Sequence, residues 1–395
     1  METDRKKIAF VATVFGHLEA FHIPYMTMLK NKGYEVHAYG AVDHGYPGIS
    51  NQYKSFPISF NKNPFHKDNW KAYLDLVTYF KENEYSMVHF HTPIASIVGR
   101  LAAKKAKIPS VLYTAHGFHF HTGAPLLNWF LYYPIERIMA RYTDYLITIN
   151  KEDYLRAKRF KVRKETIYLP GIGVDTSAFD NMVSQEYYQA LRNSLGLQID
   201  DFIVTCVAEL NSNKNQEQLI RAIHILVSRY PYLKCLFIGQ GNKAEYYKDQ
   251  VTTLQLNDQI QFLGFRRDIP QLLAISQVVA LVSKREGLPK ALLEGMSAGK
   301  ALFGTKIRGI SDLIKDGKNG FLVEVSNIPQ SVEALESMLQ DPQMVNEMGL
   351  QSKCLVSKYD LSLVIDEMNR IYEKALSKNT IGYTMVNGKP VELSK

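Results

Sequence analysis

Short apolar runs alternate along the chain with longer segments in which apolar residues recur at helical spacing. Runs of the first kind are typical of buried strands, and segments of the second kind are typical of amphipathic helices. In the first half of the chain this pattern predicts strands at residues 7–14, 34–40, 86–91, 110–116 and 145–150. Helical patterns precede the last three of these runs. The alternation predicts a parallel sheet with helices on both faces.

A segment rich in glycine and turn-forming residues interrupts this pattern at 169–181 and predicts a domain boundary. The pattern then resumes with predicted strands at residues 202–210, 233–241, 260–265, 278–283 and 300–305. We therefore predict an α/β protein with two doubly wound, Rossmann-like domains. The predicted units are residues 1–180, residues 181–357, and a C-terminal helix with a polar, mobile tail at 358–395. Ligands of such sheets bind at the carboxyl ends of the strands, so we expect the chemistry between the two domains.

The chain has 395 residues and a formal net charge of +8. The charge is uneven, because residues 1–180 carry 23 Lys and Arg against 16 Asp and Glu. A basic first half would face anionic lipid, nucleic acid or phosphorylated substrates, or it would serve only solubility. The three cysteines lie far apart, which argues against disulfide or metal frameworks and favours a reducing compartment. We expect no signal peptide and, without a run of about 18 apolar residues, no membrane-spanning helix.

Two carboxylates, Glu286 and Glu294, lie eight residues apart around a predicted helix start. Pro289 suits the first position of that helix, where its missing N–H costs nothing. The free N–H groups of Gly287 and Leu288 and the positive end of the helix dipole then lie between the carboxylates and form an anion site. Such a site suits a nucleotide sugar, whose diphosphate would bind at the helix start and whose hydroxyls would bind the carboxylates. The alternative is one acid that only stabilises the helix dipole and one exposed acid on the helix.

The segment at 286–314, EGLPKALLEGMSAGKALFGTKIRGISDLI, resembles the family 4 retaining glycosyltransferases and contains their E-x7-E pair. Segments of the first half, among them YTAHGFHFHTGAP and PGIGVDTSAF, resemble the exopolysaccharide and capsule branch of that family. The resemblance extends, in order, over about residues 6–375. It implies a GT-B arrangement, in which two Rossmann-like domains face each other across a cleft and a C-terminal helix returns towards the first domain.

The resemblance implies roles for the residues around the predicted helix start. Glu286 would hydrogen-bond the donor sugar during catalysis, and Glu294 would hold the ribose hydroxyls. The N–H groups of Gly287 and Leu288 would bind the β-phosphate. The acids would then be two clamps on the two ends of one donor rather than an acid–base pair.

The resemblance also implies cations for the diphosphate. Lys214 matches the family's lysine and is expected to act in catalysis, but Glu209 stands where many members have an arginine. One cation therefore remains where two would stabilise the leaving diphosphate. Either Lys214 suffices, or another basic residue such as Lys290 or Arg285 contributes.

The segment FLGFRRDIP resembles the part of the family in which the backbone reads the nucleobase. The matching positions here are Phe265 and Arg266. Asp268 follows them directly, and we expect it to cap the next helix instead of contacting the donor.

In the first domain, His116 in TAHGF matches a family histidine that lies against the donor sugar and the acceptor, and we expect it to be catalytic. A histidine after a strand is, without that context, more often structural. His119 is a candidate for the acceptor, as is His121 on weaker grounds. The loop after the first strand matches the family's glycine loop only in part. Gly16 remains as a candidate donor contact, and His17 is a candidate for acceptor or phosphate contact.

The chain contains no D-x-D motif, so we expect neither a metal at the diphosphate nor a cofactor. The resemblance implies front-face attack with retention of configuration, in which the departing phosphate oxygen accepts the proton of the acceptor. It also implies a UDP-sugar donor, with N-acetylhexosamine expected first. The implied acceptor is a lipid-linked saccharide, based on undecaprenyl diphosphate.

The expected location is the cytoplasm, with peripheral association at the inner face of the cell membrane. The apolar run at 126–135, followed by Arg137 and Arg141, would lie in the membrane interface or pack as an ordinary core-facing helix. Nucleic acid is not an expected partner, because the basic residues are scattered and match no recognised motif. The sequence leaves the oligomeric state open.

Three other functions fit parts of the sequence. GQGNKA at 239–244 matches a dinucleotide fingerprint, but it follows the second strand of its domain rather than the first. Glu286 and Glu294 would be the carboxyl pair of a glycoside hydrolase, but two acids at one helix start lie on the same side of a sugar. The third is a non-catalytic subunit that binds a nucleotide sugar in a polysaccharide assembly complex, which Glu209 keeps open.

Overall fold

The computed structural model describes residues 6–42, 49–61, 63, 66–180 and 184–377, and the backbone of residues 383–386 and 389–392. Seven strands form the first sheet: β1 (Lys7–Val14), β2 (Glu35–Ala41), β3 (Lys54–Pro57), β4 (Met87–Phe90), β5 (Ser110–Ala115), β6 (Tyr145–Thr148) and β7 (Glu165–Tyr168). They pair in parallel in the order β3-β2-β1-β4-β5-β6-β7.

Six strands form the second sheet: β8 (Phe202–Val207), β9 (Leu233–Ile238), β10 (Ile260–Phe262), β11 (Val278–Leu281), β12 (Ala301–Thr305) and β13 (Gly320–Val323). They also pair in parallel, in the order β10-β9-β8-β11-β12-β13. In both sheets the chain starts in the middle, builds outwards on one side, and returns to build the other. This is the doubly wound pattern, so the predicted fold is confirmed.

Helices connect the strands and cover the sheets. Those of the first half are α1 (Phe15–Phe21), α2 (Ile23–Asn31), α3 (Ile49–Gln52), α4 (Lys67–Asn83), α5 (Pro93–Ala106), α6 (Leu126–Met139) and α7 (Lys151–Ala157). Those of the second half are α8 (Gln185–Ser194), α9 (Gln216–Leu226), α10 (Ala244–Thr253), α11 (Ile269–Ala274), α12 (Lys290–Ser297), α13 (Ile310–Leu313), α14 (Ile328–Gln340), α15 (Pro342–Val356) and α16 (Leu361–Leu376). Short 3-10 turns lie at Ala140–Tyr142, Thr176–Phe179 and Ser357–Tyr359.

The central strands are buried on both faces because helices cover both sides of each sheet. Every residue of β4, β5 and β6 in the first sheet and of β11 and β12 in the second is buried. Such strands appear in the sequence as continuous apolar runs rather than as alternating ones. This explains why the sequence pattern located them.

The C-terminal helix α16 returns to the first sheet, as predicted. Its buried residues Val364, Met368, Ile371 and Tyr372 recur at helical spacing and form one stripe. This stripe joins the apolar cluster that includes β1 and the helices α1 and α2. The hydroxyl of Tyr372 also hydrogen-bonds Nδ1 of His89 on β4 at 2.9 Å. The end of the chain therefore fastens onto the domain in which the chain begins.

The predicted loop after the first strand is wrong, because α1 begins directly at Phe15 and α2 follows it. Phe15, Leu18, Tyr25 and Leu29 are buried at helical spacing, so burial of this apolar stripe stabilises two short helices here. Gly16 is accordingly the second residue of a helix and does not lie in a glycine loop.

Three edge or near-edge strands were not predicted: β3, β7 and β13. Each has only four residues, and β3 and β7 have little burial, so neither a long apolar run nor a clear alternation marks them. The predicted domain limits at 180 and 357 stay predictions. The tail predicted to be mobile lies outside the described residues, apart from the paired strands β14 (Tyr383–Val386) and β15 (Lys389–Glu392). No described helix has both the length and the apolar character needed to cross a bilayer.

Candidate active site

The two sheets meet at the carboxyl ends of their strands. The strand order reverses between β1 and β4 in the first sheet and between β8 and β11 in the second, and ligands of doubly wound sheets bind at such points. A Cβ built on Gly287, after β11, would lie 1.7 Å from the carbonyl oxygen of His116, after β5. A Cβ on Gly309, after β12, would lie 2.2 Å from the carbonyl oxygen of Gly287. Only glycine allows the backbones to approach this closely.

Arg308, after β12, ties the two domains together at the same point. Its Nη1 pairs with the carboxylate of Asp153 at the start of α7, and its Nη2 donates to the carbonyl of Phe118 at 2.6 Å. Its Nε donates to the carbonyl of Glu286 at 3.1 Å. The side chains of Arg308 and Asp153 are only 3% and 0% exposed, respectively. No local pattern in the sequence marks Arg308, because Asp153 and Phe118 lie in the other domain.

The energetics of this buried pair are those of a positioning contact. Burial lowers the pKa of Arg308, and the charge of Asp153 partly opposes that change. Burial raises the pKa of Asp153, and the charge of Arg308 partly opposes that change. Removing two charges from water costs free energy that their mutual attraction repays only in part. The pair therefore contributes mainly by fixing how the second domain sits on the first.

The predicted donor residues Lys214 and Glu286 form an ion pair with each other. Nζ of Lys214 donates to Oε1 of Glu286 at 2.6 Å, across the switch point of the second sheet. Asn211 orients the loop after β8 by accepting from the N–H of Lys214 at 3.0 Å. The side chain of Asn213 joins this loop to the next by donating to the carbonyl of Arg285 at 3.0 Å. Lys214, the cation predicted for the diphosphate, is therefore paired with Glu286, the acid predicted for the donor sugar.

The helix at the predicted anion site begins one residue later than expected. Pro289 is the N-cap of α12, and the helix begins at Lys290. Within the described part of the chain, no protein acceptor is found for the N–H groups of Gly287 and Leu288. Glu294 lies on α12 with 15% of its side chain exposed, and Nζ of Lys290 lies 3.4 Å from its Oε1. Burial raises the pKa of Glu294, and Lys290 partly opposes that change.

The loop after β10 carries the two residues predicted to read the base. Phe265 is 59% exposed, and Arg266 forms an ion pair with Asp268 at 2.5 Å. The prediction that Asp268 caps the next helix is wrong as regards its side chain. Asp268 occupies the N-cap position of α11, but its carboxylate is engaged by Arg266 and makes no capping hydrogen bond.

The GQGNKA segment has a packing explanation for its glycines. A Cβ on Gly239 would lie 2.1 Å from the carbonyl oxygen of Ala208, and a Cβ on Gly241 would lie 2.3 Å from that of Leu210. The glycines thus let the loops after β8 and β9 run side by side. The resemblance to a dinucleotide fingerprint needs no bound dinucleotide to account for it.

The opposite edge of the cleft, in the first domain, holds a cluster of histidines. The ring centroids of His17 and His116 lie 4.7 Å apart, and those of His22 and His116 lie 5.2 Å apart. His91 stacks on His22 with centroids 3.6 Å apart, and its Nδ1 lies 3.5 Å from Nε2 of His116. His22 and His91 were not singled out in the sequence. Their position in the sequence could have indicated them, because histidines come after β1, β4 and β5. These strands are neighbours, so their carboxyl ends lie at the same edge of the sheet.

Burial disfavours the protonated form of these imidazoles. It lowers the pKa of His17 to about 4 and that of His22, His91 and His116 well below the usual value. His119 lies outside the cluster and stacks on Tyr132, with its pKa lowered to about 4 by burial and by nearby arginines. The first-domain edge of the cleft is therefore rich in ring nitrogens but poor in charge.

The structure gathers most of the predicted residues on two facing edges. Those around the start of α12 are Glu286, Gly287, Leu288, Lys290, Glu294 and, through its ion pair, Lys214. His17 and His116 lie on the facing edge. Phe265 and Arg266 lie apart, on the loop after β10, two strands away from β8. The roles of all these residues stay predictions.

Comparison with known proteins places the chain among glycosyltransferases. The family model for glycosyl transferases group 1 matches residues 188–353, and the model for glycosyl transferase 4-like proteins matches residues 7–150. The chain is 38% identical to the putative glycosyltransferase EpsD of Bacillus subtilis (strain 168), over 95% of this chain and 98% of that protein. It is 28% identical to the UDP-Gal:alpha-D-GlcNAc-diphosphoundecaprenol alpha-1,3-galactosyltransferase of Escherichia coli, over 76% of this chain and 79% of that protein.

Solved structures agree with the fold. The crystal structure of Anabaena HepE in complex with UDP and glucose superposes with a TM-score of 0.78 at 22% identity. The match covers 94% of this chain and all of the HepE chain. At this level of identity the likeness establishes the two-domain architecture and leaves the choice of substrate to the site.

Proposed function

The chain belongs to the group 1 glycosyltransferases, and on that premise we propose that it transfers a sugar from a UDP-sugar to a lipid-linked saccharide in exopolysaccharide or capsule synthesis. The proposed sugar is an N-acetylhexosamine, and the proposed transfer retains configuration without a metal at the diphosphate. Membership of this enzyme family removes the alternative of a non-catalytic subunit. The observation that carries the proposal is a pair of unpartnered N–H groups, those of Gly287 and Leu288, which lie between two carboxylates where the two domains meet.

The geometry around these N–H groups matches the parts of a nucleotide sugar. Two backbone donors at the start of α12 would bind the β-phosphate, since a helix N-terminus favours negative charge. Glu286, ahead of the helix, would accept hydroxyls of the sugar. Glu294, on the helix, would accept the ribose hydroxyls. The names of two similar proteins support a uridine donor, because one acts on UDP-Gal and another was crystallised with UDP and glucose.

The ion pair between Lys214 and Glu286 gives the proposal a testable first step. A bound donor would offer Lys214 a diphosphate and Glu286 a set of hydroxyls, so both groups would exchange one partner for another. The bond from the anomeric carbon to the phosphate oxygen then breaks, and a bond to the acceptor oxygen forms on the same face. The proton of the acceptor passes to the departing phosphate oxygen. Preorganised N–H groups and Lys214 would stabilise the charge that develops on that oxygen.

Helix α6 supports the proposed acceptor side. On its buried side Glu136 pairs with Arg100, with Nη2 of the arginine 2.9 Å from Oε2. On its outer side Leu126, Leu127 and Phe130 are 75%, 73% and 78% exposed, respectively. These three side chains do not pack on the core, whereas Trp129, Tyr132 and Tyr133 of the same helix do. An apolar face held rigidly outwards suits contact with a lipid surface.

The basic character of the first domain suits the same surface. The exposed Arg137 and Arg141 follow the apolar face of α6, and the excess positive charge of the chain lies mainly in residues 1–180. Cations attract anionic lipid, and exposed apolar side chains insert at the interface. We therefore propose peripheral association with the inner face of the cell membrane, where a lipid-linked acceptor would be reached.

The test of the donor is calorimetric titration of the purified protein with UDP, GDP, ADP and NAD in metal-free buffer. Selective binding of UDP is expected. Turnover of UDP-N-acetylhexosamines and UDP-hexoses with a lipid-linked acceptor would then identify the sugar. Binding of NAD without a response to UDP would overturn the proposal and return GQGNKA to consideration.

A further inference from the structure

We propose that His17, His22 and His116 form a binding site for a transition-metal ion, with Zn²⁺ as the best match, on the first-domain edge of the cleft. Each residue offers one ring nitrogen, and these nitrogens lie within 4.8 Å of one another. The site shares no residue with the start of α12, where the donor diphosphate is proposed to bind without a metal, although the backbone of His116 lies against that of Gly287.

The three histidines come from segments that the fold holds in place. His17 lies within α1, and His22 lies at the junction of α1 and α2. The backbone of His22 is fixed on both sides, since its N–H donates to Leu18 at 2.7 Å and its carbonyl accepts from Met26 at 3.0 Å. His116 follows β5 directly. Ligands on helices and strand ends are placed more precisely than ligands on free loops.

Two of the ring nitrogens lack partners. Nε2 of His17 and Nε2 of His22 are buried and make no hydrogen bond with any described group, and the same is true of Nε2 of the adjacent His91. Burying a polar atom without a partner costs about 1–3 kcal/mol, so native structures rarely retain two neighbouring cases without a reason. One ion would satisfy both nitrogens together with His116.

The surroundings of the cluster match those of a metal site. His91 lies against two of the proposed ligands: it stacks on His22, and its Nδ1 lies 3.5 Å from Nε2 of His116. The contact through Nε2 of His116 leaves Nδ1 of the same ring for the ion.

The donor set selects the metal. Three imidazole nitrogens with no carboxylate favour zinc and its neighbours over Mg²⁺ or Ca²⁺, which prefer oxygen. Zinc bonds nitrogen at about 2.0–2.1 Å, so the nitrogens would approach one another to about 3.4 Å by small ring rotations. His17 and His116 are only half-buried, which leaves a fourth position open towards the cleft. Water would fill that position.

The experiment measures metal binding directly and needs no substrate. The full-length protein is freed of metal with a chelator and titrated with Co²⁺ alone, followed by visible absorption, and with Zn²⁺ alone, followed by calorimetry. We expect one ion per chain and the intense absorption of tetrahedral Co²⁺. His22→Gln, which removes a residue with no assigned part in sugar transfer, is expected to weaken Zn²⁺ binding at least tenfold. His119→Gln, outside the cluster, is expected to bind Zn²⁺ like the parent.

A second measurement covers the case in which His22→Gln fails to fold. Thermal unfolding of the unmutated protein is recorded with and without Zn²⁺, and a rise in the unfolding temperature is expected because the ion binds only the folded cluster. Absence of Co²⁺ and Zn²⁺ binding, or equal binding by His22→Gln and the parent, would overturn the proposal. Because donor binding is titrated in metal-free buffer, failure of the metal site and failure of the proposed function give different results.

Discussion

The two domains share one topology but present opposite chemistry at the same place. In the second sheet, the loops that leave the switch point carry Glu286 and Lys214, which are charged and paired with each other. In the first sheet, the equivalent edge carries His17, His91 and His116, whose pKa values burial holds low. The strand order fixes where a ligand is met, and the loop residues decide which ligand it is.

The difference matches the two substrates proposed for the cleft. A nucleotide diphosphate carries charge that needs cations and N–H donors, and the second domain offers both. The reacting hydroxyl of a saccharide is neutral, and a cluster of neutral rings can contact it without the cost of desolvating a charge. The second-domain edge is therefore the charged side of the cleft, and the first-domain edge is its neutral side.

The largest effect on the rate of sugar transfer is expected on the charged side. Glu286→Ala removes the proposed contact with the donor sugar and leaves Lys214 without its partner, so transfer should fall by about a hundred- to a thousand-fold. Initial rates with a UDP-sugar and the acceptor measure this loss. Glu245→Ala is the control, since Glu245 is an acid on α10 with 82% of its side chain exposed and no proposed contact with the donor. Near-parental rates for Glu286→Ala would show that the carboxylate does not contact the donor.

The charged side was also the part that the sequence predicted best. The spacing of Glu286 and Glu294 around Pro289 is local, so helix propensity and capping rules apply to it directly. The histidine edge depends on three parallel strands ending side by side, and no local rule joins His22 to His116. Arg308 is harder still, because its partners Asp153 and Phe118 become neighbours only when two domains dock.

The same distinction explains the errors in the fold. The central strands are continuous apolar runs, which the sequence pattern predicts correctly. The edge strand β10 is also predicted, but it ends at Phe262 and not at residue 265. Strand β3 reads KSFP and is partly exposed at an edge, so neither burial nor pattern marks it. The segment after β1 matches the family's glycine loop in part, and that resemblance predicts a loop where the structure has two helices. The spacing of Phe15, Leu18, Tyr25 and Leu29 would have indicated helices.

The largest effect on stability is expected at Arg308, which joins the two domains. Arg308→Gln leaves the carboxylate of Asp153 buried at the seam without its charge partner, which should cost about 3–5 kcal/mol. Chemical unfolding measures the loss, and the KM for donor should rise because the two edges are no longer held together.

The control for this change is a surface pair. Arg229→Gln breaks an ion pair with Glu336 in which the arginine is more than half exposed, so its cost should stay below about 1 kcal/mol. Adding Asp153→Asn to Arg308→Gln should recover part of the stability, because the unpaired charge is then gone. Equal costs for Arg308→Gln and Arg229→Gln would contradict the interdomain role of Arg308.

A smaller effect concerns the outer surface of the neutral side. Replacing both Leu127 and Phe130 with serine removes apolar side chains that would enter the lipid, each contributing about 1.5–3 kcal/mol if fully buried and less if partly buried. Sedimentation with vesicles that contain anionic lipid should show at least tenfold weaker binding. Leu350→Ser, at a similarly exposed leucine of the second half, should bind as the parent does. Unchanged binding by the double variant would remove α6 as the membrane contact.

The smallest effect concerns Glu294, the buried acid on the charged side, in the absence of donor. Burial raises its pKa, so the ionised carboxylate is less favourable in the folded protein than in the unfolded chain. That penalty is absent below the unfolded pKa of about 4.3 and is complete above the folded pKa. Glu294→Gln carries no charge, so its free energy of unfolding relative to the parent should rise as the pH rises through this window.

Glu373 is an acid whose pKa shifts in the opposite direction, so its effect on stability depends on pH in the opposite sense. Its hydrogen bond from Lys32 lowers the pKa of its carboxyl, so it stabilises the fold above the unfolded pKa and loses that contribution as the pH falls through the folded value. Glu373→Gln should therefore lose stability relative to the parent near neutral pH and match it in acid. Unfolding midpoints of both variants across pH 3–8 make the comparison. If Glu294→Gln followed the same trend as Glu373→Gln, the carboxylate of Glu294 would be stabilised by its surroundings, and the contrast between a strained buried acid and a paired surface acid would fail.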